Sequence, residues 1–342
     1  MTKKIVHMHF GKEGGAERFF VNLVKAFADR GAEQRFVTRP NRLWHDDIAP
    51  LGPITTTHYR RLSLTSPIIA WRVRRMIAAW QPDVIMAWMS RSSRMIPTYP
   101  SAVRLTRLGD YPRHLRNFRR NDLIVANTPG IAQACRDLGW ARPVHVVSNF
   151  AKQITVSPVL RAEHATPEHA FVIAGVGRFI GRKGFDTLIS AAARIPDAWL
   201  WLAGTGDHEA ELRAQANALG IGDRVRFWGW LEEPMHMVAS ADCFVMPSRH
   251  EPLGNVILEA WHVGVPVVST ATEGPQWFVR DGKDALLIPI GDDVAMAKAI
   301  KRIRADPDLR AHLVAGGRAT LGAHFTKARV VDRYFEIFDG QF

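Results

Sequence analysis

The sequence predicts an α/β protein of two doubly wound domains, each a parallel sheet covered by helices on both faces. Three observations carry that expectation. Short apolar runs alternate with segments of helical period along both halves of the chain. The alternation breaks once, over 152–169, in a stretch rich in proline, threonine and histidine. A length of 342 residues suits two domains with separate cores, and 47% hydrophobic with 23% charged residues is a folded composition rather than a disordered one.

In the first half, residues 5–10 read as a short apolar strand, followed by a glycine-rich loop over 11–15. A helix over 16–28, stopped by Gly31, carries Phe19, Phe20, Leu23, Val24 and Phe27 at helical spacing, so these are core positions. Further strands are expected at 35–38, 84–88, 103–106, 123–126 and 144–147. Helices intervene at 67–80 and 129–138, the second opened by the Thr128-Pro129 pair. After the linker, strands are expected at 172–175, 199–203, 225–228, 244–246 and 267–269. Helices fall at 185–193, 207–219, 255–263 and 294–305. A last amphipathic helix begins at Thr326, with Val330, Val331, Tyr334, Ile337 and Phe338 on one side. The domains are therefore expected at 1–165, joined by the C-terminal segment 326–342, and at 166–325. Ligands in such sheets collect at the carboxyl ends of strands, so the loops after Phe10, Gly175, Ala203 and Met246 are expected to converge on an interdomain cleft.

Bulk properties narrow the class. No apolar run reaches the roughly 18 residues of a membrane span, and Met1 to Phe10 lacks the features of a signal peptide. Two cysteines, Cys135 and Cys243, each in an apolar element, read as reduced core residues, which fits the cytosol. The formal charge of +12 is unevenly spread: residues 1–165 hold 26 Lys and Arg against 11 Asp and Glu, a net of +15, and the remainder carries −3. Such a field favours an anionic partner, either a phosphorylated glycolipid, an anionic membrane surface or nucleic acid.

The most informative stretch runs Pro247-Ser-Arg-His-Glu251-Pro-Leu253-Gly254-Asn255-Val-Ile-Leu-Glu259. A strand enters this turn and a helix over 255–263 leaves it, closed by Gly264 and followed by Pro266. Glu259 lies four residues after Asn255, on the same helical face, and Glu251 sits in the loop before the helix. Free N–H groups at a helix N-terminus attract anions, and flanking carboxylates accept hydrogen bonds from hydroxyls. Phosphate together with polyol describes a nucleotide sugar. Upstream, Arg178 and Lys183 flank a short loop before the helix at 185, with Gly177 and Gly184 beside them. A forked guanidinium and a mobile ammonium can neutralise a departing diphosphate, although Arg182 can substitute for either.

These elements resemble, in order, those of retaining glycosyltransferases of the GT-B fold, family 4, and the resemblance covers nearly the whole chain. Glu251 to Glu259 matches the E-x7-E signature, Gly14-Gly15-Ala16-Glu17-Arg18 the glycine-rich loop after the first strand, and Gly177-Arg178 through Lys183-Gly184 the diphosphate clamp. Gly274-Pro275 and Asp281-Gly282 through Pro289 match the distal pattern, but Gln276 and Trp277 stand where many relatives carry a glutamate. The resemblance implies a metal-independent enzyme without a cofactor, resembling those of the lipopolysaccharide core, that transfers sugar from a nucleotide-diphosphate donor to a glycan or glycolipid. It gives Arg178 and Lys183 the diphosphate, Glu251 the donor sugar, Glu259 the ribose, and the backbone of Leu253, Gly254 and Asn255 the sugar or phosphate. Gly14, Gly15, Gly177 and Gly204 are expected to border the donor as well.

Acceptor contacts are expected from Arg107, Asp110 and His114, after a strand of the first domain, where Asp110 is the preferred group and His114 equally suits a helix cap. Asp306-Pro307-Asp308 is an acidic pair by letters, but it opens a helix away from the marked loops, so no metal site is expected. The helix over 67–81 interleaves Trp71 and Trp80 with Arg72, Arg74 and Arg75. It fits an anionic membrane surface or a sheet-packed helix with a basic outer face. Two other functions remain in view: a nucleotide-sugar epimerase of the same fold, and a nucleic-acid-binding protein exploiting the basic half, which leaves the two glutamates and the clamp without a purpose.

Overall fold

A computed structural model describes residues 2–12, 14–58 and 66–340. Glu13 of the glycine loop and residues 341–342 of the C-terminal segment lie outside the described residues. The chain forms two compact units, 1–149 with 327–342, and 150–326.

The first unit is built on a parallel sheet of β1 (Lys4–His9), β2 (Glu33–Thr38), β3 (Ile54–Thr56), β4 (Val84–Trp88), β5 (Val103–Leu108), β6 (Leu123–Ala126) and β7 (Val144–Val146). Their spatial order is β3-β2-β1-β4-β5-β6-β7. The all-parallel register requires crossovers, and the intervening helices cover both faces, so strands such as β4 are buried along their whole length. The helix Gly15–Asp29 lays Phe20, Leu23, Val24 and Phe27 into the core, as its spacing requires. The last helix, Lys327–Phe338, packs on it through Tyr334 and Phe338, whose rings lie 5.4 and 5.6 Å from that of Phe27.

The second unit repeats the plan with β8 (Phe171–Val176), β9 (Ala198–Ala203), β10 (Val225–Gly229), β11 (Cys243–Met246), β12 (Val267–Thr270) and β13 (Leu286–Ile288), ordered β10-β9-β8-β11-β12-β13. Alternate residues of β8 feed opposite faces: Ile173 joins the core beneath Leu188 and Ile300, and Val172 and Ala174 join the one around Trp201, Phe244 and Trp261. Cys135 and Cys243 are free and buried, and burial pushes both thiols up, Cys135 to about 11.

The units divide between Asn149 and Phe150, ahead of the boundary at 165 that composition suggests. The intervening segment is tied to the second unit by specific bonds. Val159 N–H donates to Ser240 Oγ at 2.8 Å, the Arg161 guanidinium pairs with Asp242 at 3.0 Å, and Ile154 N–H reaches His262 at 3.3 Å. Its prolines therefore stand in an irregular strap bonded to Ser240, Asp242 and His262 of the second unit.

Candidate active site

In each sheet the strand order reverses once, between β1 and β4 and between β8 and β11. Loops leaving such a pair diverge to opposite faces and leave a crevice at the carboxyl end of the sheet. In the second unit these are the loops 177–184 and 247–254, the two stretches singled out above.

Backbone contacts lock the first loop. Phe179, fully buried, donates its N–H to the Thr205 carbonyl at 2.9 Å, and its own carbonyl accepts from His208 N–H at 3.1 Å. Gly204 makes this possible: it has φ +142°, and a Cβ there would stand 1.9 Å from the Gly177 carbonyl oxygen. The anchored loop leaves Arg178 exposed and Lys183 half-buried. Lys183 Nζ lies 2.5 Å from Glu251 Oε2, which joins the two loops across the crevice.

Arg249 supplies a second tie. Its N–H donates to the Arg182 carbonyl at 2.8 Å, and its guanidinium spans both carboxylate oxygens of Asp186, at 2.8 and 2.5 Å. That bidentate pair holds the Asp186 carboxyl below the usual carboxylate range against the opposing effect of burial. Glu251 is fixed through its backbone: its N–H donates to Glu273 Oε2 at 3.3 Å, and its carbonyl accepts from Gly274 N–H at 3.0 Å. The other oxygen of Glu273 meets His250 Nδ1 at 2.9 Å. Burial alone would raise the Glu273 carboxyl, but the backbone N–H groups and His250 outweigh it and hold it low.

The helix Asn255–Val263 follows, with Gly254 at its N-cap in the left-handed region and Gly264 ending it. Leu253 and Gly254 are buried, and Asn255 and Glu259 are half-buried. One crevice thus gathers an exposed guanidinium, an ammonium, a carboxylate and a helix N-terminus with no side-chain cap. An ammonium has three donors, so Lys183 can hold Glu251 and a phosphate oxygen together.

The first unit has its own cavity, of about 480 Å³, at the ends of β1, β4 and β5. Asp110 and His114 line it, beside His9, Glu17, Trp88 and Met89. Asp110 Oδ1 accepts from Tyr111 N–H at 2.8 Å, and His114 Nε2 accepts from the exposed Arg116 at 3.0 Å. Gly14 caps the helix that begins at Gly15, and its backbone packs near Glu17. Met89, at the turn out of β4, has φ +64°, a strained value for a side chain of its size.

Arg107 departs from the expectation of an acceptor contact. It is 1% exposed, with its guanidinium 4.5 Å from the Phe19 ring and 5.5 Å from that of Trp88, and it hydrogen-bonds to Asn149. The strand runs on to Leu108 rather than ending at Thr106, so Arg107 is a residue of a sheet buried on both faces. It fastens β5 to the end of the first unit's chain at Asn149.

A family model described as Glycosyl transferases group 1 matches residues 156–320, and one described as Glycosyltransferase Family 4 matches 13–151. The chain is 48% identical to the lipopolysaccharide core biosynthesis glycosyltransferase LpsE of Rhizobium meliloti (strain 1021), covering 98% of both proteins. It is 45% identical to LpsD of the same organism at the same coverage. The chain belongs to the family 4 glycosyltransferases. Among solved structures, Anabaena Alr3699/HepE in complex with UDP and glucose superposes with a TM-score of 0.85, covering 99% of this chain and 100% of that one at 22% identity. The fold of this family 4 glycosyltransferase is accordingly GT-B.

In the family 4 chain, the structure brings Arg178, Lys183, Glu251, Leu253, Gly254, Asn255 and Glu259 to the switch point of the second sheet, with Gly204 serving the packing beneath it. Asp110, His114, Gly14 and Gly15 belong to the first. Sequence reasoning missed Glu273 and Arg249, which fix the Glu251 loop. Glu273 precedes the Gly-Pro pair, and Gln276 and Trp277 follow it, so a carboxylate does stand beside this motif, on its other side. Asp306 is a helix cap: its Oδ1 accepts from Leu309 N–H at 2.9 Å.

Proposed function

We propose that this glycosyltransferase moves a sugar from a nucleoside-diphosphate sugar to a lipopolysaccharide core acceptor, with retention of anomeric configuration and without a metal. The observation that carries the reading is the contact of Lys183 with Glu251 at the switch point of the second sheet. Arg178 and Lys183 receive the diphosphate and compensate the charge that grows on it as the glycosidic bond breaks. Glu251, held on Lys183, faces the sugar and stabilises positive charge developing at its anomeric carbon. Glu259 takes the ribose hydroxyls, and the N-terminus of Asn255–Val263 supplies N–H groups to phosphate or sugar. The departing diphosphate assists removal of the acceptor proton, so the reading requires no separate base. UDP and glucose in the Anabaena relative, and the near full-length identity with LpsE and LpsD, support the donor class and the acceptor class respectively.

The acceptor domain is the first unit, which holds 27 Lys and Arg against 13 Asp and Glu, a net of +14. That balance suits a phosphorylated glycolipid at the cytoplasmic face of an anionic membrane. Among the described residues no helix is long and apolar enough to cross a membrane.

The test is a panel of UDP-, GDP- and ADP-sugars with lipopolysaccharide from cells lacking this protein. Transfer with the α-linkage of the donor kept in the product, in the presence of a chelator, is expected. Lys183→Ala should lower kcat at saturating donor by roughly 10²–10³ with little effect on folding, the usual cost of removing one preorganised charge-stabilising donor. Inverted product, or near-normal turnover of the Lys183 variant, overturns the mechanism.

A further inference from the structure

His9, the last residue of β1, is 1% exposed, yet among the described residues neither of its ring nitrogens makes a hydrogen bond. Buried polar groups are almost always paired, so a ring opening onto a cavity with both nitrogens unmatched points to a ligand. Its faces are occupied by aromatic rings, Phe20 at 4.6 Å, Trp44 at 5.3 Å and Trp88 at 5.8 Å, which fix the plane of the imidazole. Glu17 Oε1 stands 3.5 Å from Nε2, beyond a normal hydrogen bond but within an ion-pair or closing distance. Gly11 creates that approach: a Cβ there would lie 1.7 Å from Glu17 Oε1 and 3.0 Å from His9 Cε1.

The groups facing His9 keep it neutral. Burial lowers its pKa from 6.5, Glu17 in the first turn of the neighbouring helix works the other way, and Arg107 of β5 and Arg42 beyond β2 add to the lowering. His7 on the same strand is itself neutral. A neutral imidazole donates at one nitrogen and accepts at the other, the complement of a hydroxyl. The rest of the lining is of the same kind: the carboxylates Glu17 and Asp110 accept from hydroxyls, and Trp88 and Phe10 offer apolar surface to the C–H face of a sugar ring.

We propose that His9 binds a hydroxyl of the acceptor glycan in this cavity and that Glu17 is the positioning residue that fixes its ring. This rests on the transferase reading and adds to it the group that receives the acceptor.

The experiment uses the full chain with ring-nitrogen-labelled histidine and, as probe, delipidated core oligosaccharide from cells lacking the protein. Signals lost in His9→Gln assign the residue. Saturable movement of the His9 signals on titration with the oligosaccharide is expected. Signals that stay put overturn the proposal whether or not sugar is transferred. Transfer in the same samples after addition of donor, read from the mass of the oligosaccharide, decides the transferase reading separately. In kinetics, His9→Gln should raise the KM for oligosaccharide about ten-fold, with a smaller change in kcat, as expected for one hydrogen bond. Glu17→Ala should broaden or split the His9 signals and raise the same KM, and Glu17→Gln, which keeps an acceptor atom, should restore both. An equal loss in kcat and unchanged KM in the His9 variant would assign the ring to another step and overturn the proposal.

Discussion

His7, two residues before His9 on the same face of β1, shows how a histidine is satisfied when the fold uses it for packing. Its Nδ1 accepts from Trp88 Nε1 at 3.3 Å, and its Nε2 pairs with Gln34 Oε1 at 2.9 Å. Gln34 in turn donates to the Val24 carbonyl at 2.9 Å. This chain ties β1, β4, β2 and the first helix together and admits only the neutral ring with its proton on Nε2. A second proton would face the indole N–H. Burial lowers the His7 pKa to about 3, with Gln34 opposing and His9 adding to the fall. The unfolded chain, with an ordinary value near 6.5, therefore takes up a proton that the folded chain refuses. Stability from this residue is complete above about pH 6.5 and is lost as pH falls toward 3, by up to about 1.4 kcal/mol per pH unit. Urea unfolding at pH 7.5 and 5.5 should show that loss, with His9 adding in the same direction. The slope should shrink in His7→Asn, and an unchanged slope would sink the assignment.

At the scale of elements, the strongest local signals came through. The helix Asn255–Val263 begins and ends where Gly254 and Gly264 stand, because both glycines occupy the left-handed region that side chains avoid. Strands Val84–Trp88 and Leu123–Ala126 are bounded by turn residues and apolar throughout, so their limits were legible. The edge strand Ile54–Thr56 was not: three residues, two of them exposed threonines, carry no burial pattern. The burial of the polar residues Arg107 and His9 was not legible, for one physical reason. A polar residue in a strand buried on both faces gives no sign in the sequence of whether it is matched by a partner or by a ligand. The contacts of Glu273 and Arg249 join segments far apart in the chain, which spacing does not reveal.

The loop contacts give an element-scale prediction. Gly204→Ala drives a methyl against the Gly177 carbonyl and must separate the loops after β8 and β9, whereas at Gly220 (φ +69°) nothing lies within 4 Å of a Cβ. Both variants carry the strain of a side chain at positive φ, of about 1–3 kcal/mol, but Gly204→Ala alone should also weaken nucleotide binding, since it displaces the backbone that bears Arg178. Calorimetry with the nucleoside diphosphate separates them, and equal affinity in both variants would detach this packing from the donor site.

At the scale of the whole molecule, charge is sorted between the units, +14 on the first and −2 on the second. Within the first unit, helix Ser66–Trp80 buries Val73 and Ile77 in the core and turns Arg72, Arg74 and Arg75 outward. Core packing accounts for that inner stripe, but Ile68 and Trp71 remain 57% and 56% exposed beside the arginines, with the Arg75 guanidinium 5.5 Å from the Trp71 ring. Apolar and cationic groups presented together suit the headgroup region of an anionic bilayer, where each cation contributes about 1 kcal/mol and the effect decays over a Debye length of about 8 Å at physiological salt. Replacing the three arginines by glutamine should therefore weaken binding to anionic vesicles about 10²-fold at low salt and bring it near that for neutral vesicles. Trp71→Ala should cost less but lose as much in high salt as in low, because it removes buried apolar area rather than charge. Raising salt should release the wild-type chain from vesicles while leaving nucleotide affinity nearly intact, since the Lys183 ammonium is partly shielded from solvent and engages its partners at contact distance. Wild-type binding that ignores lipid charge at low salt would refute membrane recruitment through this helix and leave the donor site untouched.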